Sequence, residues 1–444
     1  MNTPICDFIQ KYAEINAVRA HMPGHKAKSF LGFEHLDITE FDGADNLFTP
    51  SGIIKESMDN AGKIFGADTF YSTEGSSLSI KAMLYLVYLY AKNKGEKPLI
   101  LAGRNAHRSF INACALIDFD LEWIYGKDDS YLTCTVTAKD IDDALNSLAE
   151  KPTAIYLTSP DYTGGTLDIK SIADICNKHG VFLLVDNAHG AYLKFLKKSE
   201  HPIDLGSTMC CDSAHKTLPA LTGASYVHIS KHAPEFFKDN VLDALALFGS
   251  TSPSYLIMQS LDKINPYLNG DYNADLERCI KRTEQLKNKL KQLGYMIFGQ
   301  EKIKICIKTK DYGYLGKDFA DILKKHNVVC EFYDDDNVVL MLSPQFTEQD
   351  FFILEQKFSI IERRPKIQDK PPFTVKPKKA MSIRSAMTSA KELIAVDNAN
   401  GRILASTSIS CPPAIPIIVC GEVIDQSVIN AMHYYGIKEC HVVK

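Results

Sequence analysis

Short apolar runs alternate with amphipathic stretches through the first half of the chain. Apolar residues three and four apart predict helices, and continuous apolar runs of about five residues predict buried strands. The predicted helices span residues 76–93, 107–117, 138–149 and 169–179, and the predicted strands span residues 98–102, 121–125, 154–158 and 181–185. This alternation indicates an α/β fold with a mainly parallel, doubly wound sheet. Such sheets bind ligands beyond the carboxyl ends of their strands.

The pattern changes after a long charged amphipathic segment at residues 273–293. Interleaved strands and helices follow it, which indicates a small α+β domain. The strands are predicted at 295–298, 303–307 and 338–342, and the helices at 317–326 and 348–361. We therefore expect an N-terminal arm (1–50), a large domain (51–272), a small α+β domain (273–362), a proline- and lysine-rich linker (363–381) and a small C-terminal domain (382–444).

The composition of the 444 residues is that of an ordinary globular protein, with 45% hydrophobic and 23% charged side chains. The net charge of −4 gives no reason to expect a nucleic acid or an anionic membrane as partner. The longest apolar run, residues 82–91, is about half the length of a membrane span, and the first residues lack a secretory pattern. The 12 cysteines are scattered, which is typical of reduced thiols, so we expect a cytoplasmic protein.

Lys216 and Asp186 are the residues that most directly suggest chemistry. Lys216 ends the polar cluster 213–216, and its amine could form a Schiff base with an aldehyde cofactor. Asp186 follows an apolar run, where a carboxylate could hold a positively charged ring nitrogen. Together they indicate an enzyme that uses pyridoxal 5′-phosphate as an electron sink. The alternatives are a surface lysine in a loop and an aspartate that caps the turn after a strand.

A second candidate is the segment 73–77, which lies where a helix is predicted to begin. Gly75 allows close backbone approach, and the N–H groups of a helix start favour an anion, so Ser76 and Ser77 suggest a phosphate cup. An ordinary serine N-cap is the alternative. His107 follows a predicted strand, and its imidazole could stack on a cofactor ring or simply lie exposed in a loop.

His21 and His25 are four residues apart, a spacing that suggests a metal site. The intervening Pro23-Gly24 prevents the helix that would bring both imidazoles to one face, and no acid or cysteine cluster is near in the sequence. We therefore expect no metal. Lys26 also follows a histidine, but it lacks the upstream strand that ends in an aspartate.

Four segments together resemble one family, the Orn/Lys/Arg decarboxylases of pyridoxal phosphate fold type I. They are residues 19–26 (RAHMPGHK), 186–191 (DNAHGA), 213–221 (SAHKTLPAL) and 250–255 (STSPSY). The resemblance runs from about residue 19 to the C-terminus. It is to the short members, which lack the N-terminal receiver-like domain of the long ones.

The resemblance implies a role for each matching residue. Lys216 would carry the cofactor as a Schiff base, Asp186 would bind the pyridine nitrogen, His189 would lie beside the ring, and His107 would stack on it. The phosphate would be held by Gly75, Ser76, Ser77, Ser213 and His215. Ser250 or Thr251 would reach the phosphate of a second subunit, which implies a homodimer with shared active sites.

The substrate residues follow from the same resemblance. Residues 411–416 and 421–422 resemble a family segment in which Glu422 would meet the distal cationic group of the substrate. Apart from this resemblance, we expect His25 and Arg384 to line the substrate site as well. The chain departs from the family at Cys411, Ala414 and Cys420, which replace tyrosine, glycine and proline.

The expected reaction is decarboxylation of a basic L-amino acid to its amine and CO2, a step of polyamine metabolism. Arginine and lysine are the first choices, with ornithine as an alternative. Another fold type I reaction, by an aminotransferase or a Cα–Cβ lyase, is also open. Arg384 could clamp a substrate carboxylate, as an aminotransferase requires. A non-catalytic protein that binds pyridoxal phosphate is the third alternative, suggested by the changes at Cys411 and Ala414.

Overall fold

In the computed structural model, the described residues are 1–127, 133–373, 375–411 and 415–444. The chain divides into two compact units. Unit 1 comprises Met1–Pro98, Thr153–Ile155 and Ile169–Leu276, and unit 2 comprises Leu99–Pro152, Tyr156–Asp168 and Glu277–Lys444. This division cuts across the linear domains expected above, because residues 99–152 group with the C-terminal part of the chain. The boundaries at 50, 272, 362 and 381 stay predictions.

Fourteen α-helices are present in the described residues. They are α1 (Pro4–Glu14), α2 (Ile53–Phe65), α3 (Gly75–Asn93), α4 (Arg108–Ile117), α5 (Ala138–Ser147), α6 (Ile169–His179), α7 (Ala214–Thr217), α8 (Glu235–Phe248), α9 (Tyr255–Leu268), α10 (Tyr272–Gln292), α11 (Gly316–Lys325), α12 (Glu348–Ser359), α13 (Ile383–Thr388) and α14 (Gln426–Tyr434). Short 3₁₀ helices occur at Glu34–Leu36, Ala191–Phe195, Thr309–Tyr312 and Val396–Asn398.

The strands form one large sheet and three small ones. They are β1 (Asp68–Ser72), β2 (Leu99–Gly103), β3 (Asp120–Ile124), β4 (Ala154–Thr158), β5 (Phe182–Asp186), β6 (Met209–Asp212), β7 (Ser225–Ile229), β8 (Met296–Phe298), β9 (Lys304–Lys308), β10 (Phe332–Tyr333), β11 (Asn337–Met341), β12 (Lys391–Ala395), β13 (Ser408–Cys411), β14 (Ile415–Val419) and β15 (Glu439–Val443). The large sheet has the order β1-β7-β6-β5-β4-β2-β3 and is mostly parallel.

Antiparallel pairing involves β7 in the large sheet and the strands of the small sheets. β7 runs antiparallel to both β1 and β6. In unit 2, β10-β11-β9-β8 form an antiparallel sheet, and β12-β15 and β13-β14 form two-stranded antiparallel sheets. The predicted α/β class with a mainly parallel sheet and small α+β units is therefore confirmed. The predicted helices and strands of the sequence analysis are all observed, with ends that differ by two residues or fewer.

The strands that lead to the candidate site are buried, which explains their apolar sequences. All four residues of β6 and all five of β7 are buried, and four of the five in β5 are. Nine residues of α3 are also buried, so apolar side chains lie on more than one face of this helix. Among the described residues, no helix combines the length and apolar character needed to cross a bilayer.

Candidate active site

The parallel pairing of β5 with β6 brings two chemically active turns to one edge of the sheet. Asp186 lies opposite Cys211 in this pairing, so both strands end at nearly the same level. The turn after β5 carries His189, and the turn after β6 leads into α7, which carries Lys216. Nζ of Lys216 lies 3.0 Å from Nε2 of His189. The structure therefore brings these predicted site residues together.

Asp186 is a buried acceptor at the end of β5, with 2% of its surface exposed. Its Oδ1 accepts hydrogen bonds from Ala188 N at 3.2 Å and from Cys211 Sγ at 3.7 Å. Burial and the nearby carboxylate of Asp186 raise the pKa of the Cys211 thiol well above its usual value, so the thiol keeps its proton and donates. A buried carboxylate held in this way can stabilise a positively charged ring nitrogen.

The first turn of α3 forms the predicted cup. Gly75 has φ +67° and donates from its N–H to Gly223 O at 2.8 Å. Ser213 Oγ donates to Ser76 Oγ at 3.0 Å, which joins the turn after β6 to this helix start. The side chain of the N-cap residue Glu74 makes no capping hydrogen bond to this helix start. The N–H groups of the first turn therefore suit an anion.

His215 lies on another side of the cup. Its Nδ1 lies 2.9 Å from Ala224 O, which makes Nδ1–H the donor and fixes the ring. A Cβ built on Gly75 would be 3.9 Å from Cε1 of this ring, so the glycine leaves space beside the imidazole. Backbone donors, serine hydroxyls and an imidazole at one helix start fit a phosphate group. The cup and Asp186 together fit a phosphorylated pyridine.

Ser250 and Thr251 are exposed, and Ser250 N donates to Glu74 Oε1 at 2.6 Å. This contact gives a structural reason for an acidic residue just before the cup, because Glu74 ties the 250–252 loop to the start of α3. The contribution of Ser250 and Thr251 to a second subunit stays a prediction.

His25 and His107 make local contacts. His25 Nδ1 accepts from Ala27 N at 3.0 Å, and its Nε2 lies 3.2 Å from Asp37 Oδ2. His107, in unit 2, is the N-cap of α4, where its side chain accepts from Ser109 N at 3.2 Å. The expected roles of His25 with the substrate and of His107 against the cofactor ring stay predictions.

Both carboxylate oxygens of Glu422 accept hydrogen bonds within unit 2. Its Oε1 and Oε2 accept from the two terminal nitrogens of Arg104 at 2.7 and 2.8 Å, and Oε2 also accepts from Val419 N at 2.8 Å. The guanidinium lies 5.1 Å from the ring centre of Trp123 and 5.6 Å from that of Tyr125. Only 3% of the Arg104 side chain and 5% of the Glu422 side chain are exposed. The geometry therefore weighs against Glu422 as the acceptor of a substrate cation, since that carboxylate already binds an internal one.

Arg384 likewise has internal partners. Its Nε donates to Ala115 O at 2.7 Å, and one terminal nitrogen donates to Leu116 O. Both carbonyl groups belong to the last turn of α4, where a cation is favourable. Its other terminal nitrogen lies 3.5 Å from Asp118 Oδ2. The geometry does not support the expectation that this guanidinium clamps a substrate carboxylate.

The structure describes the three positions that depart from the family pattern to different extents. Ala414 lies outside the described residues, and Cys411 is the last residue of β13. Cys420 is buried, and burial raises the pKa of its thiol to about 11. That thiol is therefore protonated and inert at neutral pH.

Comparison with known proteins decides the family. The family model described as "Orn/Lys/Arg decarboxylase, major domain" matches residues 3–311, and the model of the C-terminal domain matches residues 364–439. This chain belongs to the Orn/Lys/Arg decarboxylase family. The match confirms the predicted family and the predicted class of activity, a pyridoxal phosphate-dependent decarboxylase of basic amino acids. It favours this class over the aminotransferase, Cα–Cβ lyase and non-catalytic alternatives.

Individual relatives of this Orn/Lys/Arg decarboxylase cover almost the whole chain. The chain is 29% identical to an arginine decarboxylase of Bacillus subtilis, over 96% of this chain and 92% of the relative. It is 28% identical to an arginine decarboxylase of Halalkalibacterium halodurans, over 96% and 91%. The solved constitutive lysine decarboxylase of Escherichia coli has the same fold, with a TM-score of 0.79 at 18% identity over 100% of this chain and 82% of that one.

Replacing Gly223 should test how tightly the cup is built. A Cβ there would lie 2.8 Å from Thr73 O and 3.0 Å from Ile257 Cδ1, at φ +97°. We expect Gly223→Ala to cost about 1–3 kcal/mol in free energy of unfolding, from backbone strain and the clash together. Gly95→Ala is the control, because it has φ +73° but no heavy atom within 4 Å of the added Cβ. Urea unfolding that shows equal losses for both variants would contradict the close approach.

Removing one partner of the Arg104–Glu422 pair should be more costly than removing both. Arg104→Ala leaves a buried carboxylate without its cation, so we expect a loss of about 3–5 kcal/mol in free energy of unfolding. The double variant Arg104→Met, Glu422→Leu should lose clearly less, since no charge stays buried. Lys139→Ala, which breaks an exposed pair with Asp143, is the control and should have little effect. A double variant no more stable than Arg104→Ala would argue against a buried pair.

Proposed function

We propose that this chain removes the α-carboxyl group of a cationic L-amino acid, arginine or lysine, with pyridoxal 5′-phosphate bound at the cup beside Lys216. The observation that carries the proposal is the 3.0 Å contact between Lys216 Nζ and His189 Nε2, at the strand ends that also present Asp186. When bound, the cofactor supplies an electron sink for the pair left at Cα when the bond to the carboxyl group breaks.

Different side chains of unit 1 would bind different parts of the cofactor. The first turn of α3, with Gly75, Ser76 and Ser77, would hold the cofactor phosphate, helped by Ser213 and His215. Asp186, buried at the end of β5, would pair with the pyridine nitrogen and keep it positively charged. Lys216 would hold the cofactor through its amine, which must be neutral to do so.

Lys216 and His189 are placed to handle the proton that the reaction requires. Loss of CO2 leaves Cα short of one substituent, and a proton must take its place. An amine and an imidazole 3.0 Å apart can hold a proton between Nζ and Nε2. We therefore assign delivery of the Cα proton to this pair, with His189 buried enough to exclude bulk water.

The substrate is proposed from the chemistry of the relatives. Two of them are named arginine decarboxylases, which puts arginine ahead of lysine, with ornithine third. The distal cation would require an acceptor other than Glu422, because Arg104 occupies that carboxylate. We also propose a cytoplasmic homodimer, in which the exposed Ser250 and Thr251 reach a second copy of the chain.

Lys216→Ala should abolish both the visible absorbance of the bound cofactor and the reaction. The amine that carries the cofactor is lost, so we expect release of CO2 to fall by at least about 10³-fold. Lys170→Ala is the matched control, because Lys170 is an exposed lysine of the same unit that pairs with Asp174. Spectra of the dialysed proteins and ¹⁴CO2 release are the measurements. A Lys216→Ala protein with the wild-type spectrum would refute the assignment.

A panel of amino acids should identify the substrate. The purified protein with pyridoxal phosphate is incubated separately with L-arginine, L-lysine, L-ornithine and the neutral control L-norleucine, and products are read by mass. We expect one amine from a cationic amino acid and none from norleucine, because recognition of a distal cation requires a charge-assisted contact. A keto acid in place of an amine would instead indicate an aminotransferase.

A further inference from the structure

Asp212 is a completely buried carboxylate directly before the turn that leads to Lys216. Three side chains surround it. Its Oδ2 lies 3.0 Å from His201 Nε2 and 3.2 Å from His228 Nε2, and its Oδ1 accepts from Asn187 Nδ2 at 2.7 Å. An ionised carboxylate only accepts, so both imidazoles donate from Nε2. Each oxygen of the anion is therefore satisfied by protein donors.

The charge of this cluster follows from its contacts. His201 Nδ1 is buried and has no hydrogen-bond partner among the described residues, so a proton there would be unsatisfied. Burial lowers the pKa of His228 despite the nearby carboxylate, which favours its neutral form. Burial alone would raise the pKa of Asp212, but its contacts with His201 and His228 outweigh burial and hold the pKa well below its usual value. Asp212 is therefore a buried anion.

The contacts of Asp212 lead to both sides of the candidate site. Asn187 is the residue after Asp186, so the Oδ1 contact ties the acid of the site to strand β6. Asp212 O accepts from Ser225 Oγ at 2.7 Å, and Ser225 Oγ lies 3.1 Å from Ser79 Oγ of α3, the helix that begins with the cup. One residue thus links the acid, the cup and the lysine turn.

A metal centre is the competing interpretation of these side chains. One ligand atom from each of His201, Cys210 and Asp212 lies within 4.8 Å of the others. However, Oδ2 of Asp212 lies 3.0 and 3.2 Å from the two imidazole nitrogens, which are hydrogen-bond distances. Burial also raises the pKa of Cys210 well above its usual value, so the thiolate that a metal needs is disfavoured. The contacts therefore favour a hydrogen-bonded anion.

We propose that Asp212 is a positioning residue of the cofactor site, whose buried charge acts through Asn187 on the orientation of Asp186. Burying a charge costs stability even when it is hydrogen-bonded, so its location directly behind the site indicates a use there. A second negative charge behind Asp186 also favours the positive ring nitrogen. This inference rests on the proposed function.

Asp212→Asn is the decisive variant, because it removes the charge and can keep the hydrogen bonds. The Asn187 Oδ1 atom has no partner among the described residues, so a flipped Asn187 amide could accept from the new Asn side chain. We expect the dissociation constant of pyridoxal phosphate to rise about 10-fold or more, since charge-assisted hydrogen bonds are roughly twice as strong as neutral ones. The visible circular dichroism band, which reports ring orientation, should also change.

Asp262→Asn is the matched control. Asp262 is a buried carboxylate of the same unit, accepts from Ser57 Oγ at 2.6 Å and Cys6 N at 3.0 Å, and has no part in the cup. It should lower the unfolding temperature without moving the cofactor affinity or the dichroism band. Asn187→Ala should weaken cofactor binding, and the double variant with Asp212→Asn should show less than the sum of both effects.

The outcomes separate this inference from the proposed function. Wild-type affinity and dichroism in folded Asp212→Asn would overturn the inference alone, as would additive effects of Asp212→Asn and Asn187→Ala. Stoichiometric zinc in the purified wild-type protein would overturn it in favour of a metal centre. A wild-type protein that binds no pyridoxal phosphate would refute the proposed function and this inference with it.

Discussion

The in-register pairing of β5 with β6 determines where the candidate site can form. Asp186 and Cys211 lie side by side, so the turns that follow begin at the same edge of the sheet. From there, His189 and Lys216 need only a few residues to reach contact. A shift of one residue in this pairing would turn the acid to the other face of the sheet and separate it from the lysine turn.

Buried charge is used in two different ways in this molecule. In unit 2, Arg104 and Glu422 neutralise each other in a bidentate pair that stabilises the fold once both are present. In unit 1, the buried Asp212 carboxylate accepts hydrogen bonds from Asn187, His201 and His228. In the first arrangement the Glu422 carboxylate binds an internal cation, and in the second the carboxylate lies directly before the turn that leads to Lys216.

The sequence predicted the parallel part of the sheet well, because runs such as 154–158 and 181–185 are continuously apolar. It did not predict β6 (MCCD), which is short and ends in a charged residue, or β1, whose polar and apolar residues are mixed. Lys216, Asp186 and the cup could be found from local motifs. The partner of Glu422 could not, because Arg104 is 318 residues away in the chain. Asp212 could have been singled out from one feature of the sequence, because it is an acidic residue in an otherwise apolar run directly before the lysine motif.

Reduction of the protein with borohydride in the presence of pyridoxal phosphate, followed by peptide mass mapping, tests the central claim most directly. The reaction makes the bond between cofactor and lysine permanent, so the modified residue can be read from the fragment masses. This account predicts a single phosphopyridoxyl group on Lys216. Modification of another lysine, such as Lys26, with Lys216 unmodified would contradict it.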